Sequence, residues 1–389
     1  MNNGLSSIKS NFLWDIAYIC YFMSFFIYDV AFQSESTQTL IMKIFKYLSY
    51  FIFVIVLILN TNVKFYRFIV CLFAVIVAAI STLFTKDLYF ETLFFVVLTS
   101  IMIKPKHIVK VSYYLLITAS VFVLLGMLLN IIPNVNTPRA VDQPRFGLGF
   151  YHSDVLPLIL FYLIVYRILI CCERIRLFQI VFWLALDVGL YFVCNSKNGL
   201  IGVGLLCLGC FVYGRRKKKE RRFILFIAEY LAIGLSVFSL VGMLIQGSGS
   251  TISTLLNKAL TNRLFLAYKQ YKSMGLHLFN KLDWASYQND RFVIDNGYLY
   301  VSLRYGLVFL PFYWVVHFLC ARKNRKMVLV LIVMIVVALT NFIDNDLNSY
   351  GFLPLILIAF NNYSFDEDNT IIEDGINERS KGERCATFG

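Results

Sequence analysis

Four stretches of the sequence gather side chains that could hold an anion or move a proton. The first is Pro138-Arg139-Ala140-Val141-Asp142-Gln143-Pro144-Arg145, continuing through Gly147, Gly149, Tyr151 and His152 to Asp154. Arginine offers a bidentate fork to phosphate, glycine lets backbone approach closely, and a helix start beyond the loop adds partial positive charge. His152 is a candidate base; an ordinary interfacial histidine is the competing reading. The second stretch is Asn195-Ser196-Lys197-Asn198-Gly199. A lysine at a helix start opposes the helix dipole, which points to an anionic partner, against the alternative of a snorkelling side chain.

The third stretch lies within residues 246–294, where Leu256, Leu260, Leu264, Tyr268, Tyr271, Met274 and Leu278 recur at helical spacing. That stripe predicts an amphipathic helix resting on the membrane surface, with Lys258, Arg263, Lys269 and Lys272 off the stripe. A lid packed on the protein is the other reading. The fourth is Asp295-Asn296-Gly297-Tyr298, followed by Arg304, Tyr305 and Gly306. Asp295, Tyr298, Ser302 and Tyr305 share one helix face. Helix capping is the competing role for Asp295 and Asn296. On one continuous helix Arg304 lies about 13 Å deep at ~1.5 Å per residue, where a carboxylate such as Asp187 or a ligand phosphate would have to meet it.

The elements that position these residues follow from composition. Of 389 residues, 59% are hydrophobic and only 15% charged. That excludes a water-soluble enzyme and a disordered chain. The expected fold class is all-α, a polytopic transmembrane helix bundle, since continuously apolar runs such as Phe51–Leu59 lack the alternation of a barrel strand. About twelve spans follow from the ~20-residue requirement: 12–31, 41–60, 65–84, 88–103, 110–131, 154–173, 176–194, 197–213, 222–245, 295–319, 326–342 and 347–361. Residues 1–361 form the membrane domain, with an outer loop at 132–153 and a large outer loop at 246–294 between spans 9 and 10. Residues 362–389 read as an acidic cytoplasmic tail.

The net charge of +13 could suggest nucleic acid, but its distribution argues against that partner. Most of the 36 Lys and Arg fall in alternate loops, above all the run 215–222, which makes that side cytoplasmic with both termini inside. A smaller basic set, including Arg139, Arg145, Lys197, Arg263 and Lys272, lies on the outer side. The first apolar run lacks the features of a cleaved signal peptide. The nine cysteines form no metal or disulfide framework, so no metal and no cofactor are expected.

Three stretches are similar to a known family. Arg145-Phe-Gly-Leu-Gly149-Phe-Tyr-His152 resembles an Arg-rich outer loop, although the histidine is followed by Ser153-Asp154 rather than Pro-Asn. Asn195-Ser196-Lys197-Asn198-Gly199 resembles a Ser-Arg turn with Lys in place of Arg. Leu260-Thr-Asn262-Arg263, then Ile294-Asp295-Asn296-Gly297-Tyr298 through Tyr305-Gly306, resemble a large outer loop and the helix after it. Together they resemble the O-antigen and capsular polysaccharide polymerases (Wzy-type), which share a superfamily with the O-antigen ligases.

The resemblance implies a GT-C-related glycosyltransferase acting on undecaprenyl-diphosphate-linked oligosaccharides at the outer face of the cytoplasmic membrane. It would pass a growing glycan from one lipid diphosphate to a new lipid-linked repeat unit, with a flippase and a chain-length regulator as partner proteins beside the membrane lipids. Under that reading Arg145, Arg263, Lys197, Arg139 and Arg304 are the diphosphate-binding candidates. Asp295 is the first candidate base and His152 the second. Tyr151, Tyr298, Asn296 and Trp284 are the sugar-binding candidates. Two alternatives remain: an O-antigen ligase, and a lipid-linked oligosaccharide flippase, which would carry its charges along a midplane cavity.

Overall fold

The computed structural model describes residues 2–59, 76–77, 79–80, 83–84, 89–101, 103–137, 144–171, 175–213, 221–280, 294–345, 347 and 349–365. Its helices, in chain order, are α1 (Asn2–Asp29), α2 (Glu35–Leu59), α3 (Tyr89–Ser100), α4 (Pro105–Leu128), α5 (Val155–Cys171), α6 (Leu177–Cys194) and α7 (Lys197–Tyr213). They continue with α8 (Arg221–Ile245), α9 (Thr251–Ala259), α10 (Arg263–Met274), α11 (Gly297–Arg304), α12 (Leu310–Lys323), α13 (Val328–Ile343) and α14 (Leu353–Phe360). Besides helices, the described residues hold two isolated β-bridges, Val30 with Phe150 and Asn136 with Phe146.

The chain is therefore an all-helical protein of membrane type. Five helices are long and apolar enough to cross a bilayer, covering Asn11–Asp29, Glu35–Leu59, Pro105–Leu128, Leu177–Cys194 and Arg222–Ser248. Val155–Cys171, Lys197–Val212 and Val328–Ile343 are shorter apolar helices. The expected span 65–84 falls mostly outside the described residues. Phe365, assigned by sequence to the tail, is buried, and its amide donates to Asn324 Oδ1 at 3.0 Å.

Contacts sort the helix ends into two groups. At one end the Tyr151 amide donates to Asp29 O, Asn198 reaches Asp344, and the Gly297 amide donates to Asp344 O. These join the C-termini of α1 and α13 to the N-termini of α5, α7 and α11. At the other end His107 lies 2.7 Å from Asp15, and Asn361 Nδ2 donates to Ser100 O at 3.0 Å. There Lys323 Nζ donates to the carbonyls of Ile358 and Ala359 at the last turn of α14, where a cation suits the dipole. Between the ends lies an aromatic-rich core in which Trp14 stacks on Tyr18 and Phe90 on Phe309.

Two expected elements are corrected. The span 295–319 is not one helix. It breaks after α11 at Gly306, where φ is +114° and a Cβ would lie 2.2 Å from Leu278 O, so only glycine fits. The freed backbone groups are not orphaned: the Leu307 amide donates to His277 O and the Val308 amide to Leu278 O. The first turn of α11 bonds α13 and α8, through Phe342 O and Ser239, while Tyr305 at its far end packs on Tyr89 and Phe90 at the start of α3. The helix thus lies across one end of the bundle, and Arg304 ends a helix of 8 residues instead of sitting three turns into a span.

The amphipathic stripe in 246–294 is likewise two helices, not one. Thr261 and Asn262, at φ 52° and 65°, break it between α9 and α10. The stripe faces the protein: Leu256, Leu260, Leu264, Tyr268 and Tyr271 pack with Met243, Ile294, Leu299 and Leu303 in a second small core. Lys269 and Lys272 lie over the rings of Phe265 and Tyr268. Apolar burial thus uses the face that a membrane-surface helix would have turned to lipid.

Candidate functional site

Three arms of the chain converge at the end of the bundle that holds the starts of α5 and α7. The loop that carries Arg145 is the first. Its Thr137 amide donates to Arg145 O and its Gly147 amide to Val135 O, a short paired hairpin. Gly147 is required by the turn itself, because a Cβ there would lie 2.1 Å from Phe150 O. Arg145 is therefore carried inward, to 7% exposure. Its Nη2 donates to Asp154 Oδ1 at 2.7 Å and its Nε to Cys194 O at 3.2 Å, at the end of α6. A buried guanidinium without such partners would be strongly destabilising.

The second arm is α10 with Asp295. Arg263, the first residue of α10, donates from Nε to Asp295 Oδ2 at 3.2 Å and from Nη2 to Asn198 Oδ1 at 3.0 Å. The third is the turn after α13. Asn198 Nδ2 donates to Asp344 Oδ2 at 2.8 Å, and the Asn345 amide donates to Asp344 Oδ1. Asn198 is the hub, tying Arg263 to Asp344 through its two amide atoms. Beside it a cleft is lined by Asp154, Ser196, Asn198, Gly199, Thr340 and Asp344 among others. Its volume, about 10 Å³, gives room for roughly one water. Burial of the Asp344 carboxyl, with Asp154 and Asp295 nearby, pushes its pKa up to about 6 against the hydrogen bonds from Asn198 and Asn345.

The remaining residues singled out from sequence divide clearly. Lys197 is exposed at the first position of α7, beside the hub. His152 is exposed on the turn before α5 and does not line the cleft. Arg304 is away from the cluster, donating to Tyr300 Oη and lying over the rings of Tyr300 and Tyr305. Arg139 and Trp284 lie outside the described residues.

Two of the sugar-binding candidates are committed to bonds within the protein. Tyr298 is fully buried and its hydroxyl donates to Ala338 O at 3.1 Å, so its ring has no free face for a sugar. Asn296, 2% exposed, caps α11: its Oδ1 accepts the Leu299 amide, and its Nδ2 donates to Ser239 Oγ and Phe342 O. Tyr151 is half-buried, with its hydroxyl donating to Gln38 Oε1 at 3.3 Å, which pins this loop to α2.

The sequence places Asp154 and Asn198 within the candidate stretches and Asp344 in an acidic turn, without marking a role for any of the three. Asp154 precedes α5 and Asp344 follows α13, so each acid could be seen at the edge of an apolar run. Their pairing could not: Asn198 and Asp344 are 146 residues apart. Fold and cluster together define a polytopic helical membrane protein with a charged network at one end of its bundle. No protein-family model, curated protein or solved structure matches the chain.

Proposed function

We propose that this protein is a polysaccharide repeat-unit polymerase of the cytoplasmic membrane. It transfers a growing glycan from undecaprenyl diphosphate to a new lipid-linked oligosaccharide unit at the outer face. The observation that carries the reading is the convergence of Arg145, Arg263, Asn198 and Asp295 on one end of the bundle. These come from the three motif stretches that resemble the polymerase family, and they meet beside acids and an exposed lysine. A departing lipid diphosphate needs fixed positive charge where negative charge develops, and two anchored guanidiniums supply it. The acceptor hydroxyl must lose a proton, for which carboxylates stand in the same network. The gathering of Arg145, Asp154, Arg263, Asp295 and Asp344 at helix ends favours transfer over transport of the lipid-linked unit.

The test is deletion of the gene and sizing of the surface glycan on a gel. Loss of the long ladder with a single repeat unit still displayed is the expected result. An intact ladder contradicts the proposal, and loss of every surface form with lipid-linked units held inside indicates a flippase.

A further inference from the structure

We propose that the cleft between the starts of α5 and α7 receives the acceptor hydroxyl and that Asp344 takes its proton. This rests on the transfer reading above and goes beyond it by assigning the base to a residue outside the resembling motifs. At about 10 Å³ the cleft has room for roughly one water-sized group at its narrow part, which suits an incoming hydroxyl. Gly199 keeps it narrow, since a Cβ there would meet Pro157 Cβ at 2.6 Å.

The commitments of the neighbouring acids select Asp344. Asp154 is held by Arg145 at 2.7 Å and Asp295 by Arg263 at 3.2 Å. Asp344 is bonded by a neutral amide and a backbone N–H, and among the described residues no cation pairs with it. It is half-buried and lines the cleft. A second observation points to a ligand at the same place. Ser196 also lines the cleft, is 2% exposed, and its buried Oγ has no hydrogen-bond partner among the described residues. A hydroxyl entering the cleft would satisfy it. His152 and Asp295, the bases expected from sequence, do not line this cleft.

The step balances as a displacement. The acceptor oxygen forms a bond to the anomeric carbon of the growing glycan as the bond from that carbon to the diphosphate oxygen breaks. The electron pair leaves on the lipid diphosphate, beside Arg263 and Lys197, and the hydroxyl proton passes to the Asp344 carboxylate. Asn198 orients that carboxylate while its Oδ1 accepts from Arg263, so acceptor and leaving-group sides are linked through one side chain. The charged groups around Asp344 are Asp154 and Arg145 ahead of α5, Lys197 on α7, Arg263 on α10 and Asp295 ahead of α11.

The experiment compares wild type, Asp344→Asn, Asp344→Glu and Asp295→Asn, each purified full-length in liposomes with a lipid-diphosphate-linked oligosaccharide. Initial rates are measured from pH 5 to 8, together with binding of the lipid-linked unit. For wild type, the rate rises with pH and levels above about 6. Asp344→Asn lowers it by about 100-fold or more, with binding within about twofold of wild type and the pH-dependent limb gone; Asp344→Glu retains transfer with a displaced limb. An Asp344→Asn rate within about tenfold of wild type, or an unchanged limb, overturns the assignment. So does loss of binding in step with rate, which would make Asp344 a structural support. Wild-type liposomes that transfer nothing overturn the polymerase reading and this assignment with it; transfer by wild type and Asp344→Asn alike overturns this assignment alone.

Discussion

Arg263 Nε stands 3.2 Å from Asp295 Oδ2, joining the start of α10 to the residue ahead of the α11 cap. The pair is unequal in exposure, the arginine side chain at 14% and the aspartate at 37%, so its Coulomb energy is partly screened. What the arginine adds is geometry, because a second nitrogen of the same plane binds Asn198 at 3.0 Å. Lysine cannot reproduce two fixed directions from one nitrogen plane. Both Arg263→Ala and Arg263→Lys are therefore expected to shorten the surface glycan to single units, at unchanged protein level in the membrane. Normal chain length with Arg263→Lys would show that charge alone suffices.

Asn296→Ala should act on stability and not on recognition. It removes a cap and takes the Asn296 donor from the Phe342 carbonyl, while Ser239 keeps its bond to Leu235 O, a loss of about 2 kcal/mol. Thermal unfolding in detergent checks this: a lowered midpoint with activity falling in proportion is expected. Lost activity at an unchanged midpoint would restore Asn296 as a sugar ligand.

Gly306→Ala should disrupt the break between α11 and α12. At φ +114°, with Leu278 O 2.2 Å from the new Cβ, the substitution strains the backbone and displaces residues 277–280. Faster proteolysis within that segment is the expected readout. Wild-type protection would mean that the region accommodates a continuous helix.

The raised pKa of Asp344 makes stability depend on pH in a defined direction. The folded protein binds this proton more tightly than the unfolded chain, so its contribution grows as pH falls from about 6 towards the ordinary carboxylate range. Above about 6 the wild type carries a partly desolvated charge that Asp344→Asn lacks. The variant's unfolding midpoint should therefore exceed wild type by more at pH 7.5 than at pH 4.5. A constant difference across that range would contradict the shift.

Helical class and membrane character were legible because apolar run length acts locally along the chain. The break at Gly306 was less so: the run 295–319 is long and largely apolar beyond Asp295 and Arg304, and its pairing with residues 277–280 shows that the helix stops. The stripe gave the right face from Leu256 to Tyr271 but not its partner, since protein core and lipid select the same side chains. Arg145 and Arg263 were found as single residues of costly type. Asn198 was legible only as part of a turn, because an amide becomes a hub through long-range bonds that spacing does not encode.

The central claim is glycan transfer between lipid diphosphates. Its most direct measurement uses purified protein in liposomes containing a single lipid-diphosphate-linked oligosaccharide, with glycan length and free lipid diphosphate followed over time. The account predicts a ladder of lipid-linked glycans growing by whole units, with one lipid diphosphate released per unit added and with Arg145→Ala and Arg263→Ala inactive. Persistence of single units without released lipid diphosphate, in liposomes where the protein is intact and binds the lipid-linked unit, would contradict it.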